Sequence, residues 1–385
     1  MSRARLPLTH RVACRVGVFL AVSLAAGGVS GYNFLLPRGT YERLNVPAAD
    51  ALRWSSRAWP PGGTLVWYVS DDPRWQIGEY ESVDTKVRVF TRALAAWSDV
   101  ETADISWRLE GLLPLDPRDP GGGRRNVRYV NMEAERAYAA IWQERNAFGE
   151  WEIDSCDIVS PNFWHTTGPP DWYRQLDENH PSRVWPNFRV EVHELGHCLG
   201  LGHTPQHLAP RWSLNGRHNP LWDLRDPVMG GGRVSRSLEA LLVADDRVGA
   251  SLLRGRPGWQ AGTGSIAGEL HGENGEPAVF AQVWAFPNAR EARHDPVGVY
   301  SDWSGHYVIE GLTPGEYTLW VSPMTYQSSQ PSLAYWVSEE WSTDWLETVL
   351  PHPVRVEAGR VTDGVDISLR KGRDCRPPFP CDAPP

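Results

Sequence analysis

His193-Glu194-Leu195-Gly196-His197-Cys198-Leu199-Gly200-Leu201-Gly202-His203 is the stretch on which the reading of this chain turns. Its spacing is His-Glu-x-x-His-x-x-Gly-x-x-His. Residues four apart share a helix face one turn apart, so His193 and His197 can reach one metal ion. Glu194 stands beside the first ligand rather than at a ligand position, where it can serve a water instead. Gly200 lets the chain leave the helix in a conformation that a side chain hinders. The turn then brings His203 round as a third ligand. Three imidazoles leave a fourth position open, which is the pattern of a catalytic zinc site rather than a closed structural one.

Working outward, Phe188, Val192, Leu195 and Leu199 recur at helical spacing, so one flank of this helix is expected to be buried while the histidines face a cleft. Pro186 reads as its first residue. Upstream, 64–69 reads as a strand after the Pro60-Pro61-Gly62-Gly63 turn, and 83–100 as a helix through Val87, Phe90, Leu94 and Trp97. Residues 105–109, 127–132, 137–143 and 151–159 read as strands. Downstream, Asp226-Pro227-Val228-Met229-Gly230-Gly231-Gly232 forms a tight turn bearing one of only four methionines. A final helix, 238–253, carries Asp245-Asp246.

The histidine motif, the Met229 turn and this Asp-Asp helix resemble the matrixin branch of the metzincin zinc peptidases. The order strand, helix, strands, zinc helix, methionine turn, helix over about residues 50–255 is similar as well. The resemblance implies an α+β fold: a twisted mixed sheet with the zinc helix and methionine turn, here assigned to 54–256. It implies His193, His197 and His203 as ligands of one catalytic Zn2+, Glu194 as the base, and Met229 as the hydrophobic floor of the site. Residues 32–53 hold no cysteine, so a cysteine-blocked latent form is not expected.

The net charge is −9, with both signs mixed along the chain and no long basic run, which argues against a nucleic-acid partner. Tryptophan is frequent, at 20 residues, and most are assigned to core packing. Arg3, Arg5, Arg11 and Arg15 precede an apolar run over 16–29 and small residues near Gly31. This reads as a signal peptide, 1–31, and hence as a secreted or periplasmic protein; an uncleaved, membrane-tethering signal anchor is the alternative. Cys14 lies in that segment. Of the remaining four cysteines, Cys375 and Cys381 could close a small loop in the Pro-rich tail, 371–385, leaving Cys156 and Cys198 to pair. A buried free thiol is the competing reading of Cys198. Asp116, Asp119, Asp154 and Asp157 could hold structural Ca2+, or be solvated acids at loops and strand ends.

From Gly262 the pattern changes to short alternating stretches, such as 265–270 and 281–286, separated by turn signals like Asn274-Gly275-Glu276-Pro277. Asp302-x-x-Gly305-x-Tyr307, then Gly311-Leu-x-Pro314-Gly315-x-Tyr317, resembles carboxypeptidase regulatory-like (transthyretin-like) domains. That resemblance implies an accessory all-β sandwich over 262–370, with a protein or carbohydrate as its partner. The functional expectation is a monomeric, exported zinc endopeptidase acting on protein or peptide substrates. The alternative is an exported binding or adhesion protein with a vestigial zinc site.

Overall fold

The computed structural model describes residues 20–21, 51–70, 83–113, 126–131, 138–161, 181–202, 227–229, 242–279, 281–289, 295–322 and 345–372. His203, Asp116, Asp119 and the Cys375/Cys381 pair lie outside these residues.

Three stretches with helical periodicity form helices: α1 (Val83–Ser98), α2 (Pro181–Leu199) and α3 (Ala244–Arg254). Helix α1 buries Phe90, Leu94 and Trp97. Helix α2 buries Phe188, Val192, Leu195 and Leu199. The two stripes pack together, and the Trp97 indole donates to the Val192 carbonyl at 2.8 Å. A buried indole N–H would otherwise be costly, so this bond fixes one helix against the other.

The N-terminal half holds one six-stranded mixed sheet. Its strands are β1 (Leu20–Ala21), β2 (Leu65–Ser70), β3 (Trp107–Leu113), β4 (Val127–Asn131), β5 (Tyr138–Arg145) and β6 (Trp151–Pro161), in the order β1-β5-β6-β4-β2-β3. Strands β6, β4, β2 and β3 run parallel, while β5 pairs antiparallel with β6. The C-terminal half contributes β7 (Gly264–Gly272), β8 (Gln282–Pro287), β9 (Val297–Tyr300), β10 (His306–Leu312), β11 (Gly315–Ser322), β12 (Thr348–Val349), β13 (Val354–Val356), β14 (Val361–Thr362) and β15 (Ile367–Leu369). They form a sheet centred on β7, with β10, β14 and β15, and another with β12, β11, β8, β9 and β13. One contiguous apolar core runs from Leu52 and Trp67 through Leu252 to Ile266 and Leu319, so the two halves share buried surface.

The fold class differs from the expectation. Strands predominate, and only three α-helices occur among the described residues. The metzincin arrangement of helices on a sheet is not evident among the described residues, so they do not form the α+β metzincin fold with an accessory sandwich that the resemblances implied. The physical reason is that a ligand motif dictates only the turn of helix that carries it. The layers around it follow from the rest of the chain, which is dominated by period-two runs such as Leu65–Ser70 and His306–Leu312. Two helix starts differ too. Helix α2 starts at Pro181, five residues before Pro186, because a proline already occupies that first position without loss of a helical hydrogen bond. Helix α3 starts at Ala244; Leu242 and Val243 are extended or bent, and 238–241 lie outside the described residues.

Two neighbouring residues close the helix ends that matter for the site. Arg53 donates to the Leu253 and Leu252 carbonyls at the end of α3, at 2.6 and 3.2 Å. The Trp54 indole donates to the Cys198 carbonyl at the end of α2, at 2.7 Å. Both satisfy carbonyls that a helix cannot pair internally. Trp54 belongs to an aromatic cluster with Trp59, Trp67 and Trp107, whose successive ring centroids lie 5.8 to 5.9 Å apart.

Candidate metal centre

Helix α2 ends just past the second histidine, and its ending is part of the site. Gly200 adopts φ +116°, its N–H donates to the His197 carbonyl at 2.9 Å, and the Leu201 N–H donates to the Gly196 carbonyl at 2.9 Å. This paired closure is the Schellman arrangement, and it needs a residue without a side chain. A Cβ at Gly200 would lie 2.8 Å from the Leu52 carbonyl oxygen. The turned-back chain presents the Leu201 carbonyl to His197 Nδ1 at 2.8 Å. His193 Nδ1 meets the Val228 carbonyl at 2.7 Å.

A carbonyl only accepts, so each Nδ1 carries the proton and each Nε2 is left with its lone pair. The two Nε2 atoms face one another at 3.1 Å. Two nitrogens on one tetrahedral zinc, at about 2.0–2.1 Å each, stand about 3.3 Å apart, so the pair has the right separation and the right tautomers for that ion. Burial pushes His193 down to about 4, helped by Arg189 and opposed by the Val228 carbonyl. Burial and the neighbouring His193 push His197 down to about 3. Both rings therefore stay neutral, the form that binds metal.

Glu194 is 5% exposed, and its Oε2 has no hydrogen-bond partner among the described residues. Burial first, and Glu191 second, push its carboxyl up to about 8, while the Ala139 N–H of β5 pulls it back. A buried carboxyl held by one N–H of the strand beside it, with an oxygen to spare, is suited to taking and returning a proton.

The 227–229 turn is built from both sides. Asp246 accepts from the Val228 and Met229 N–H groups at 2.9 and 3.1 Å and from Val243 N–H at 3.1 Å. Arg189 donates to the Pro227 carbonyl at 2.9 Å. Met229 is 2% exposed, and its thioether packs on Gly196, between the two histidine turns of α2. A Cβ added at Gly196 would clash with Met229 Sδ and lie 2.9 Å from the Trp97 ring. Gly196→Ala is therefore expected to destabilise the fold by about 1–3 kcal/mol, the usual cost of overpacking. Urea unfolding checks it; an unchanged midpoint would mean the Met229 contact is not tight.

Cys156 on β6 and Cys198 on α2 are joined by a disulfide, with Cα atoms 5.5 Å apart. The bridge leaves no thiol at Cys198 to compete as a metal ligand. Asp154 accepts from Arg57 at 2.6 Å, and Asp157 is buried on the same strand. No cluster of three His, Cys, Asp or Glu side chains able to hold a metal ion occurs among the described residues, which exclude His203. The sequence pointed to the histidines, Glu194, Met229 and the Asp245-Asp246 pair. It carried no signal for the Leu201 and Val228 carbonyls or the Ala139 N–H, because any residue type supplies a backbone group.

No family model matches the chain, and no curated protein matches it. Among solved structures, the Bacillus anthracis TIE protein is similar over 29% of this chain at 13% identity, with a TM-score of 0.20. The chain spans 17% of that protein's length. A likeness of that size carries no argument about fold or activity.

Proposed function

We propose that the chain is an exported zinc-dependent endopeptidase that hydrolyses peptide bonds in proteins. The observation that carries the proposal is the pair of neutral imidazoles whose lone pairs face each other at 3.1 Å. One cation can accept both lone pairs at that separation. The Oε2 of Glu194, which has no hydrogen-bond partner among the described residues, is the supporting observation; a purely structural or vestigial metal site has no use for it.

His193 and His197 would hold the ion, with His203 as the third ligand from the motif spacing. When bound, zinc supplies Lewis acidity, acidifying water and polarising a carbonyl. With the bound cation's charge holding it ionised against the burial that otherwise pushes it up, the Glu194 carboxylate would accept the proton of the attacking water and deliver it to the leaving amine. The Leu201 and Val228 carbonyls keep each imidazole in the tautomer that presents Nε2. An extended substrate would pair with the edge of β5, next to the Ala139 that binds Glu194. Leu20–Ala21 pairs along that edge at Ile141 and Ala140, so processing near Gly31 would open it.

The test is hydrolysis of casein or gelatin by the purified mature chain. Activity is expected to vanish with a chelator, to return with one equivalent of zinc, and to be absent from His193→Ala and His203→Ala. A zinc-loaded, folded chain that cleaves neither protein nor peptide libraries would instead leave an exported binding protein with a vestigial site.

A further inference from the structure

Helix α3 has an unusual start. Its N-cap position is Val243, which has no side-chain acceptor, so the first turn lacks the usual Ser, Thr, Asp or Asn cap. The missing acceptor comes from the C-terminal half. Asp295 Oδ1 accepts the Ala244 N–H at 2.5 Å, and Oδ2 pairs with Arg247 at 2.7 Å. Three residues on, the Gly298 N–H at the head of β9 donates to Asp245 at 3.0 Å. Asp245 and Asp246 are buried, at 0% and 1% exposure. Strand β10 also approaches α3 closely: a Cβ at Gly311 would lie 2.7 Å from Val248. The first turn of α3 is thus clamped by 295–298, and that turn carries Asp246, which holds the Val228 and Met229 amides. Val228 in turn orients His193.

We propose that residues 295–298 are part of the metal centre, with Asp295 as a positioning residue. It acts on His193 through α3, Asp246 and the 227–229 turn, so the C-terminal half completes the site rather than merely accompanying it. This rests on the zinc reading only for its functional consequence; the mechanical coupling is a property of the metal-free chain. The chemistry favours it because Asp295 places a carboxylate at a helix N-terminus, where both the dipole and the unpaired N–H groups stabilise negative charge.

The experiment is native-state amide exchange on the metal-free, full-length chain, followed by zinc titration against a competing chelator. Asp295→Ala is expected to speed exchange at Val228 and Met229 about tenfold, while Ile153 and Cys156 on β6 are unchanged. It is also expected to weaken zinc binding on the order of tenfold. Asp295→Asn keeps an acceptor for the Ala244 N–H and should recover most of both effects, which a general loss of stability would not. If Asp295→Ala does not fold, Asp295→Ser carries the same comparison. Unchanged exchange at Val228 and Met229, or equal acceleration at all four amides, overturns the proposal. A parent chain that binds no zinc overturns the functional reading alone, and the exchange arm still decides the coupling.

Discussion

Glu194→Gln is expected to keep its zinc and its fold while losing hydrolysis by on the order of a thousandfold, within the range typical of general acid–base catalysis. The sign of each effect comes from separate observations. Zinc is expected to be retained because, of the proposed ligands, His193 and His197 have their Nδ1 atoms held by the Val228 and Leu201 carbonyls, and neither contact involves Glu194. Stability does not fall, because an amide of the same shape keeps an oxygen to accept the Ala139 N–H and replaces a carboxyl that is only 5% exposed and that burial already pushes toward its neutral form. Activity falls because Gln cannot accept the proton of the attacking water. Comparing kcat/KM, zinc content and melting temperature of parent and variant checks all three. Full activity in the variant would remove Glu194 from the chemistry, and a large drop in melting temperature would recast it as a structural residue.

Breaking the Cys156–Cys198 bridge is the second large effect. The two residues are 42 apart in sequence. Loop-closure entropy for that length stabilises the folded state by about 4 kcal/mol relative to the reduced chain. Cys156→Ala with Cys198→Ala is therefore expected to lower stability by a few kcal/mol in denaturant unfolding. The loss should reach the metal centre. Cys198 follows His197 directly and its carbonyl is held by Trp54, so the bridge and the indole together fix the last turn of α2 to β6 and to the N-terminal segment. Zinc affinity should fall along with stability. If reduction left both unchanged, the bridge would be incidental to the site.

The placement of His193, Glu194 and His197 on one helix was more legible in the sequence than the fold. His193, Glu194 and His197 are read from spacing because a helix has only one geometry, and residues one and four apart have fixed relations on it. Gly200 is read because a helix ending in the left-handed region excludes side chains. Cys198 was ambiguous, since a buried thiol and a half-disulfide look alike until the opposite strand is placed. The fold class differs for another reason: a ligand motif, a methionine turn and an order of elements along the chain do not determine how those elements are layered. Strand pairing is decided by contacts far apart in sequence, such as β2 with β3 and β7 with β15, and no local period announces them. Asp295 is invisible for the same reason, and with the helix expected from 238 the uncapped Val243 gives no hint of it either.

The most direct measurement of the central claim is metal analysis of the purified full-length chain combined with zinc X-ray absorption. The account predicts one zinc per chain in a shell of three imidazole nitrogens and one oxygen donor, with no sulfur. A substoichiometric metal, or a sulfur scatterer at about 2.3 Å, would contradict it.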